Sequence, residues 1–280
     1  MIRYPLSIIS LFLLVLLCSC AMTLPRAAET GNSAQLQALL QKGTPVDQKG
    51  GPMDETALMI AARHGNLGIV RTLIDAGADI NAKSKYGDTA LTAATYFCHP
   101  PITEFLLDHG ADVNVQNYAY GSTPLMLANE CNDISIVEAL IKRGATINAR
   151  NKKGQTTLIT ASIKGNTQIV HALLDAGANV EETWPDGGTA LYEAAQQGHD
   201  KIVQELINSD ANVNYSSTHN GWTPLMISSA EGHLSTVKLL LDAGADPNVI
   251  NHKGRTALMF TEKYNFTEIS KALIEHGAKK

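Results

Sequence analysis

A threonine-led pattern repeats along most of the chain and restricts the folds that the chain can adopt. Seven threonines follow one another at intervals of 33 or 34 residues: Thr56, Thr89, Thr123, Thr156, Thr189, Thr223 and Thr256. A leucine stands two residues after each of them, a second leucine seventeen residues after, and an alanine twenty-two residues after. Because a short unit of this kind cannot bury its apolar face alone, the pattern predicts a solenoid of stacked repeats.

The columns within one repeat predict a helical hairpin. The threonine can cap a first helix through its side-chain oxygen, and Pro124 and Pro224 stand at the first helical position, where the missing N–H is harmless. A glycine nine residues after the threonine, such as Gly65, ends that helix, and a glycine at position 21, such as Gly77, ends a second one. A polar segment of about ten residues, which we call a finger, turns tightly before the next threonine.

These residues resemble the ankyrin repeat family. The motifs on which this resemblance rests are Gly-Ser-Thr-Pro-Leu at 121–125, Gly-His at 198–199 and 232–233, and Gly-Ala-Asp-Ile-Asn at 77–81. The resemblance implies an all-α ankyrin-repeat solenoid: helix-turn-helix repeats of 33–34 residues joined by β-turn or hairpin fingers. The predicted domain is 28–280, with one partial repeat and seven recognisable ones. Cys98 and Asp210 replace expected glycines, which predicts a distorted turn and a weakened helix end, respectively.

The N-terminus has the order of a lipoprotein signal. Arg3 precedes an apolar run at 6–17, and Leu17-Cys18-Ser19-Cys20 follows. This resembles the bacterial lipobox, which implies a signal peptide at 1–19, lipidation of Cys20 and a tether at 20–27. Ala21, rather than Asp, follows the lipidated position, which favours a periplasm-facing site on the outer membrane. An uncleaved signal anchor and an ordinary signal peptide are the alternatives.

Charge and motif content argue against several function classes. There are 22 Lys and Arg residues against 27 Asp and Glu, a net charge of −5, so no broad nucleic-acid surface is expected. No phosphate-cradling loop or nucleophile elbow is present, so we predict no enzyme and no cofactor. His99, His199 and His233 share one column, but stacked helices lie about 8–10 Å apart, too far for a shared metal ion at about 2.0–2.1 Å. The resemblance implies that these histidines bond loop backbone.

Two cysteines remain once Cys20 is lipidated. Cys98 and Cys131 stand at positions 9 and 8 of adjacent repeats, and export would place them in an oxidising compartment. Equivalent positions of stacked repeats are too far apart for a bridge, whereas the one-residue offset brings these two closer. A disulfide and two reduced, half-buried thiols are both open.

The resemblance also implies where a partner binds. In similar proteins, partners dock on the concave side, which is made by the finger tips and the exposed face of each first helix. The matching residues that we predict to bind a partner are Arg63, Tyr86, Tyr96, Phe97, Tyr120, Glu130, Trp184, Gln196 and Trp222. Exposed aromatics near arginine are typical of interaction hot spots. The alternative is that the aromatic rings pack finger against finger or against their own repeat.

The resulting functional hypothesis is a monomeric, non-catalytic scaffold, lipid-anchored in the bacterial envelope, that binds a protein partner. A secreted effector that binds host proteins is a second hypothesis. A small-molecule binder or an enzyme with an unrecognised site is a third hypothesis. It is the least favoured of the three, because an open groove rarely encloses converging polar groups.

Overall fold

The computed structural model describes residues 22–185 and 187–279. Cys20 and the proposed signal peptide therefore lie outside the described residues. The chain divides into two compact units, one ending at Ala111 and the other starting at Asp112. The described part is all-helical, and its only β-type pairing is an isolated bridge between Gly50 and Glu55.

The described part of the first unit forms three helical hairpins. Its helices are α1 (Leu24–Glu29), α2 (Ser33–Gln41), α3 (Ala57–Arg63), α4 (Leu67–Asp75), α5 (Ala90–Tyr96) and α6 (Pro100–Asp108). Helix α1 starts within the segment 20–27 that the sequence assigned to a tether. Thr23 caps it by accepting a hydrogen bond from the Arg26 N–H, and Leu24 is fully buried. The partial first repeat is thus a complete hairpin, and it starts four residues before the expected boundary.

The second unit contains five helical hairpins. Its helices are α7 (Pro124–Cys131), α8 (Ile134–Lys142), α9 (Thr157–Lys164), α10 (Thr167–Asp175), α11 (Ala190–Gln197), α12 (Asp200–Asn208), α13 (Pro224–Glu231), α14 (Leu234–Asp242), α15 (Ala257–Tyr264) and α16 (Thr267–Glu275). Pro124 and Pro224 are the first residues of their helices, as predicted. None of the described helices is long and apolar enough to span a bilayer.

The threonine column caps the first helix of nearly every repeat. The hydroxyl of Thr223 accepts a hydrogen bond from the Met226 N–H at 3.2 Å, and Thr56 and Thr189 cap in the same way. Thr256 is the exception, because its side chain makes no capping bond and its buried hydroxyl has no partner among the described residues. The predicted cap is therefore confirmed, with a weak point at the last repeat.

The leucine columns form the core of each unit. All seven leucines at position 17 are completely buried: Leu73, Leu106, Leu140, Leu173, Leu206, Leu240 and Leu273. The leucines at position 2 are at most 2% exposed. The apolar seam predicted from the repeat is therefore present in both units, and it leaves the fingers and the outer faces of the helices for other roles.

Two of the residues that replace expected glycines, Cys98 and Asp210, keep the backbone of a glycine. Cys98 has a φ of +64° and Asp210 a φ of +63°, in the left-handed region that glycine occupies at the equivalent positions. The Cys98 turn keeps its closing bond, because the His99 N–H donates to the Ala94 carbonyl at 2.9 Å. The expected distortion of this turn is therefore wrong. The backbone at Cys98 and Asp210 is instead strained, since left-handed geometry is unfavourable for a residue with a Cβ.

Candidate protein-binding surface

Ring side chains at position 10 fix how consecutive repeats meet. The Nε2 atom of His99 lies 2.9 Å from the Arg63 carbonyl, that of His199 lies 3.2 Å from the Ile163 carbonyl, and that of His233 lies 3.0 Å from the Gln196 carbonyl. Each acceptor belongs to the first helix of the preceding repeat. The predicted structural role of this column is confirmed, but the bonded carbonyls lie near the ends of helices and not in loop backbone as expected.

The same rings explain why the helix-ending glycine lacks a side chain. A Cβ built on Gly165 would lie 2.7 Å from the His199 ring, and one on Gly198 would lie 2.6 Å from the His233 ring. The glycine therefore meets two demands, a left-handed backbone and a close approach of the next repeat. Asn66, Asp133 and Asn166 replace the ring in three repeats, and Asn166 donates to the Asn129 carbonyl at 3.0 Å.

In the first unit, the predicted binding residues lie on the surface together with one ion pair. Tyr86, Tyr96 and Phe97 are exposed, and the Tyr96 and Phe97 rings meet edge to face with centroids 5.1 Å apart. Arg63 forms an ion pair with Glu55 on the preceding finger, so its guanidinium is held in one place. Three exposed aromatic rings in one unit are a feature of binding surfaces, because large apolar groups gain most from being covered.

A cleft beside α1, which the sequence did not indicate, lies in the same unit. It measures about 730 Å³ and is lined by residues that include Pro25, Arg26, Met53, Ile60 and Arg63. Both of its arginines are neutralised, since Arg26 pairs with Glu29 and Arg63 with Glu55. No repeat column predicts this cleft, because it depends on the helix that starts at Leu24 and on the bridge between Gly50 and Glu55.

In the second unit, Tyr120 and Glu130 lie on the surface. The Tyr120 side chain is 68% exposed, more than any other large apolar residue of the described chain. Glu130 pairs with Lys164 of the following repeat. Gln196 is half-buried, and its carbonyl accepts the bond from His233. These three residues share the finger face, by which we mean the finger tips and the exposed side of the first helices.

Both tryptophans are tied to their own unit. The indole N–H of Trp184 donates to the buried Glu193 carboxylate at 3.0 Å, and the Trp222 ring packs on Phe260 with centroids 4.4 Å apart. Both side chains are half-buried. Both tryptophans therefore make contacts within the fold, as in the alternative raised from the sequence.

The surroundings of Trp184 also perturb a tyrosine. The pKa of Tyr192 is raised from 10.0 to about 12, mainly by burial and then by the neighbouring Glu193 and Glu231 carboxylates, while a hydrogen bond with Asn220 lowers it. Tyr192 occupies position 3, where four repeats have methionine. Its hydroxyl is therefore a proton donor up to strongly alkaline pH.

The fold, the stacked hairpins and the exposed finger face together define a repeat protein. The chain belongs to the ankyrin repeat family: the family model for ankyrin repeats (3 copies) matches residues 24–117, 83–151, 115–183 and 164–251. Ankyrin repeats generally mediate protein–protein interactions, and proteins of this family are generally non-catalytic. Among the described residues, no cluster of three or more His, Cys, Asp or Glu side chains is placed to hold a metal ion.

Relatives come from bacteria and from animals. The chain is 27% identical over 226 residues to the ankyrin repeat protein YahD of Escherichia coli (strain K12), which covers 79% of this chain and 95% of YahD. It is 32% identical to the crystal structure of an ankyrin repeat domain from Acinetobacter baumannii, with a TM-score of 0.64 over 68% of this chain and 98% of that one. The human ASB11 ankyrin repeat domain gives a TM-score of 0.70 at 25% identity, over 82% of this chain and all of that one.

Proposed function

We propose that this protein is a non-catalytic scaffold that binds a folded protein partner through its finger face. The observation that carries the proposal is a set of exposed aromatic rings on the fingers and the first helices: Tyr86, Tyr96, Phe97, Tyr118 and Tyr120. Their burial is not needed by the repeats themselves, whose core is made by the leucine columns. A surface that is already ordered loses little conformational entropy when a partner docks.

The second part of the proposal is a lipid anchor at Cys20, in the bacterial envelope and facing the periplasm. Its support is the order of charge, apolar run and lipobox in residues 1–20. Two or more acyl chains hold a protein stably on a membrane, since each buried methylene contributes about 0.8 kcal/mol. Labelling with radioactive palmitate tests this part, with Cys20→Ser as the control. Unlabelled protein in the soluble fraction would overturn the anchor and favour a secreted protein.

The cysteine pair and the oligomeric state belong to the same proposal. We propose a disulfide between Cys98 and Cys131 and a monomeric chain. Alkylation without reductant followed by intact mass distinguishes a bridge from two reactive thiols, and sedimentation gives the mass in solution.

The binding proposal is tested by capture with matched variants. Residues 21–280 serve as bait for cross-linking in envelope extract, beside the triple variant Tyr86→Ala, Tyr96→Ala and Tyr120→Ala. These three side chains are exposed, so the variant keeps the core intact, which a melting curve verifies. A partner that the wild type captures and the variant loses supports the proposal. Equal capture by both proteins overturns the finger face as the binding site.

A further inference from the structure

Two neighbouring fingers of the second unit are joined into one rigid tip. The Lys152 N–H donates to the Tyr120 carbonyl at 2.8 Å, and the Lys152 ammonium donates to the Tyr118 carbonyl. A third link runs from the Gln116 side-chain amide to the Arg150 carbonyl at 3.3 Å. These three bonds cross from one finger to the next, so the side chains at the tip are held in a fixed relation.

Each finger is also ordered internally by a buried or half-buried asparagine. The Asn117 side-chain oxygen accepts from the Tyr120 N–H and from the Ser122 N–H, both at 3.1 Å. Asn151 accepts in the same way from the backbone of Lys153 at 2.9 Å and of Gln155 at 3.0 Å. Local bonds of this kind fix turn geometry without help from a core.

The joined tip presents two tyrosine rings and two ammonium groups, and we call Tyr118, Tyr120, Lys152 and Lys153 the Tyr–Lys patch. Tyr118 is 56% exposed and Tyr120 68% exposed, and both lysines are exposed. A cleft of about 380 Å³ lies beside the patch, with Gln116, Gly121 and Arg150 among its lining residues. A Cβ on Gly121 would lie 3.1 Å from the Lys152 backbone nitrogen, so this glycine allows the close approach of the two fingers.

Charge separates this patch from its surroundings. Neither Lys152 nor Lys153 forms an ion pair with any residue in the described part of the chain. Arg150, by contrast, is paired with Glu182 and also donates to the Thr183 carbonyl. The patch thus carries two uncompensated positive charges in a protein whose net charge is −5.

We propose that the Tyr–Lys patch binds an acidic, extended segment of the partner protein. The two ammonium groups pair with carboxylates, the Tyr120 hydroxyl donates to a carboxylate, and the two rings cover the apolar side chains between the carboxylates. This inference rests on the proposed function, since it specifies the partner chemistry of one part of the finger face. It does not follow from the repeat fold, because the next finger carries Pro185 and Asp186 at the positions of Lys152 and Lys153.

The test measures binding of a fluorescent peptide in which glutamates alternate with leucines. Its matched control is the same peptide with glutamine in place of glutamate. The wild-type protein, used as residues 21–280, is expected to bind the glutamate peptide at least about fivefold more tightly, and raising the salt from about 0.05 to about 0.5 M should weaken that binding. Equal binding of the two peptides, or no binding of either, overturns the inference.

Variants assign the effect to the patch. The pair Lys152→Gln and Lys153→Gln should weaken peptide binding about fivefold, and Tyr120→Ala should weaken it further. Lys238→Gln is the matched control, because Lys238 is exposed on α14, away from the fingers. A loss of the same size in Lys238→Gln would mean that net charge, not the patch, attracts the peptide. If the wild-type protein binds vesicles of anionic phospholipid but not the peptide, the inference is also overturned.

Failure of this inference is separable from failure of the proposed function. Suppose that the wild-type bait captures a partner and that the double variant Lys152→Gln and Lys153→Gln captures it equally well. The finger face then binds a protein, but the Tyr–Lys patch does not recognise acidic groups on it. If the bait captures no partner that depends on the finger face, the proposed function itself fails, whatever the peptide does.

Discussion

At the scale of single residues, departures from the repeat lower the stability of the fold. Asp210 takes the left-handed backbone that glycine takes at the equivalent positions of the other repeats. A Cβ at those glycines, Gly77 and Gly244 among them, would meet no atom within 4 Å. The cost at Asp210 is therefore conformational rather than steric. The sequence alone predicted a weak helix end there, because position 21 is glycine in six of the seven repeats.

We expect Asp210→Gly to stabilise the protein by about 1 kcal/mol, because glycine adopts a left-handed backbone without strain. Urea denaturation of the variant beside the wild type measures the difference. The matched control is Gly244→Asp, which should destabilise by a similar amount. A variant no more stable than the wild type would show that the Asp210 side chain contributes something that its backbone geometry does not reveal.

Tyr192 gives a prediction about alkaline pH. Its pKa in the folded protein is about 12 against 10.0 for an ordinary tyrosine, mainly because of burial. The folded protein therefore holds this proton more tightly than the unfolded chain does. The stabilising contribution is fully present below about pH 10 and is lost as the pH rises through about 12. In Tyr192→Phe, the fall in melting temperature over this interval should be smaller than in the wild type. Parallel pH profiles for both proteins would contradict the assignment.

At the scale of elements, the repeat columns predicted both helices of each hairpin, their ends and their core leucines. They did not predict that α1 starts at Leu24, although its cap Thr23 stands 33 residues before Thr56, because Pro25 replaces the leucine expected at position 2. Nor did they predict that Trp184 bonds the buried Glu193, since a contact between a finger and a helix depends on side-chain direction. A repeat pattern fixes what every repeat shares, so contacts made in one repeat alone escape it.

The capping column gives a matched pair of substitutions. Thr223 caps α13 through its hydroxyl, while the Thr256 hydroxyl caps nothing. Thr223→Val should cost about 1 kcal/mol of unfolding free energy, and Thr256→Val should cost less than about half of that, because it removes a buried hydroxyl that has no partner in the described chain. Chemical denaturation of both variants measures the two costs, and equal costs would contradict this account of the caps.

At the scale of the whole molecule, the end of the chain differs from its interior. Met226 and Met259 occupy the same position of the repeat, yet Met226 is 1% exposed and Met259 is 46% exposed. The difference is that another described repeat follows the one containing Met226, whereas none follows the one containing Met259. The repeat pattern alone does not show which of its apolar positions stays uncovered.

We expect Met226→Ala to cost about 2–5 kcal/mol and Met259→Ala less than about 1 kcal/mol. The interior methionine leaves a cavity between stacked repeats, while the terminal one already faces solvent. Denaturation curves of the two variants measure this contrast. Similar losses would show that Met259 is covered in solution, by another copy of the chain or by further residues.

Binding through the finger face is the central claim, and its most direct measurement is site-specific photo-cross-linking in intact cells. A photoreactive amino acid replaces Tyr120 on the finger face in one variant and Lys238 on the outer helix α14 in the other. We predict a cross-linked adduct of one defined mass at position 120 and none at position 238. Adducts at both positions, or at position 238 alone, would contradict binding through the finger face.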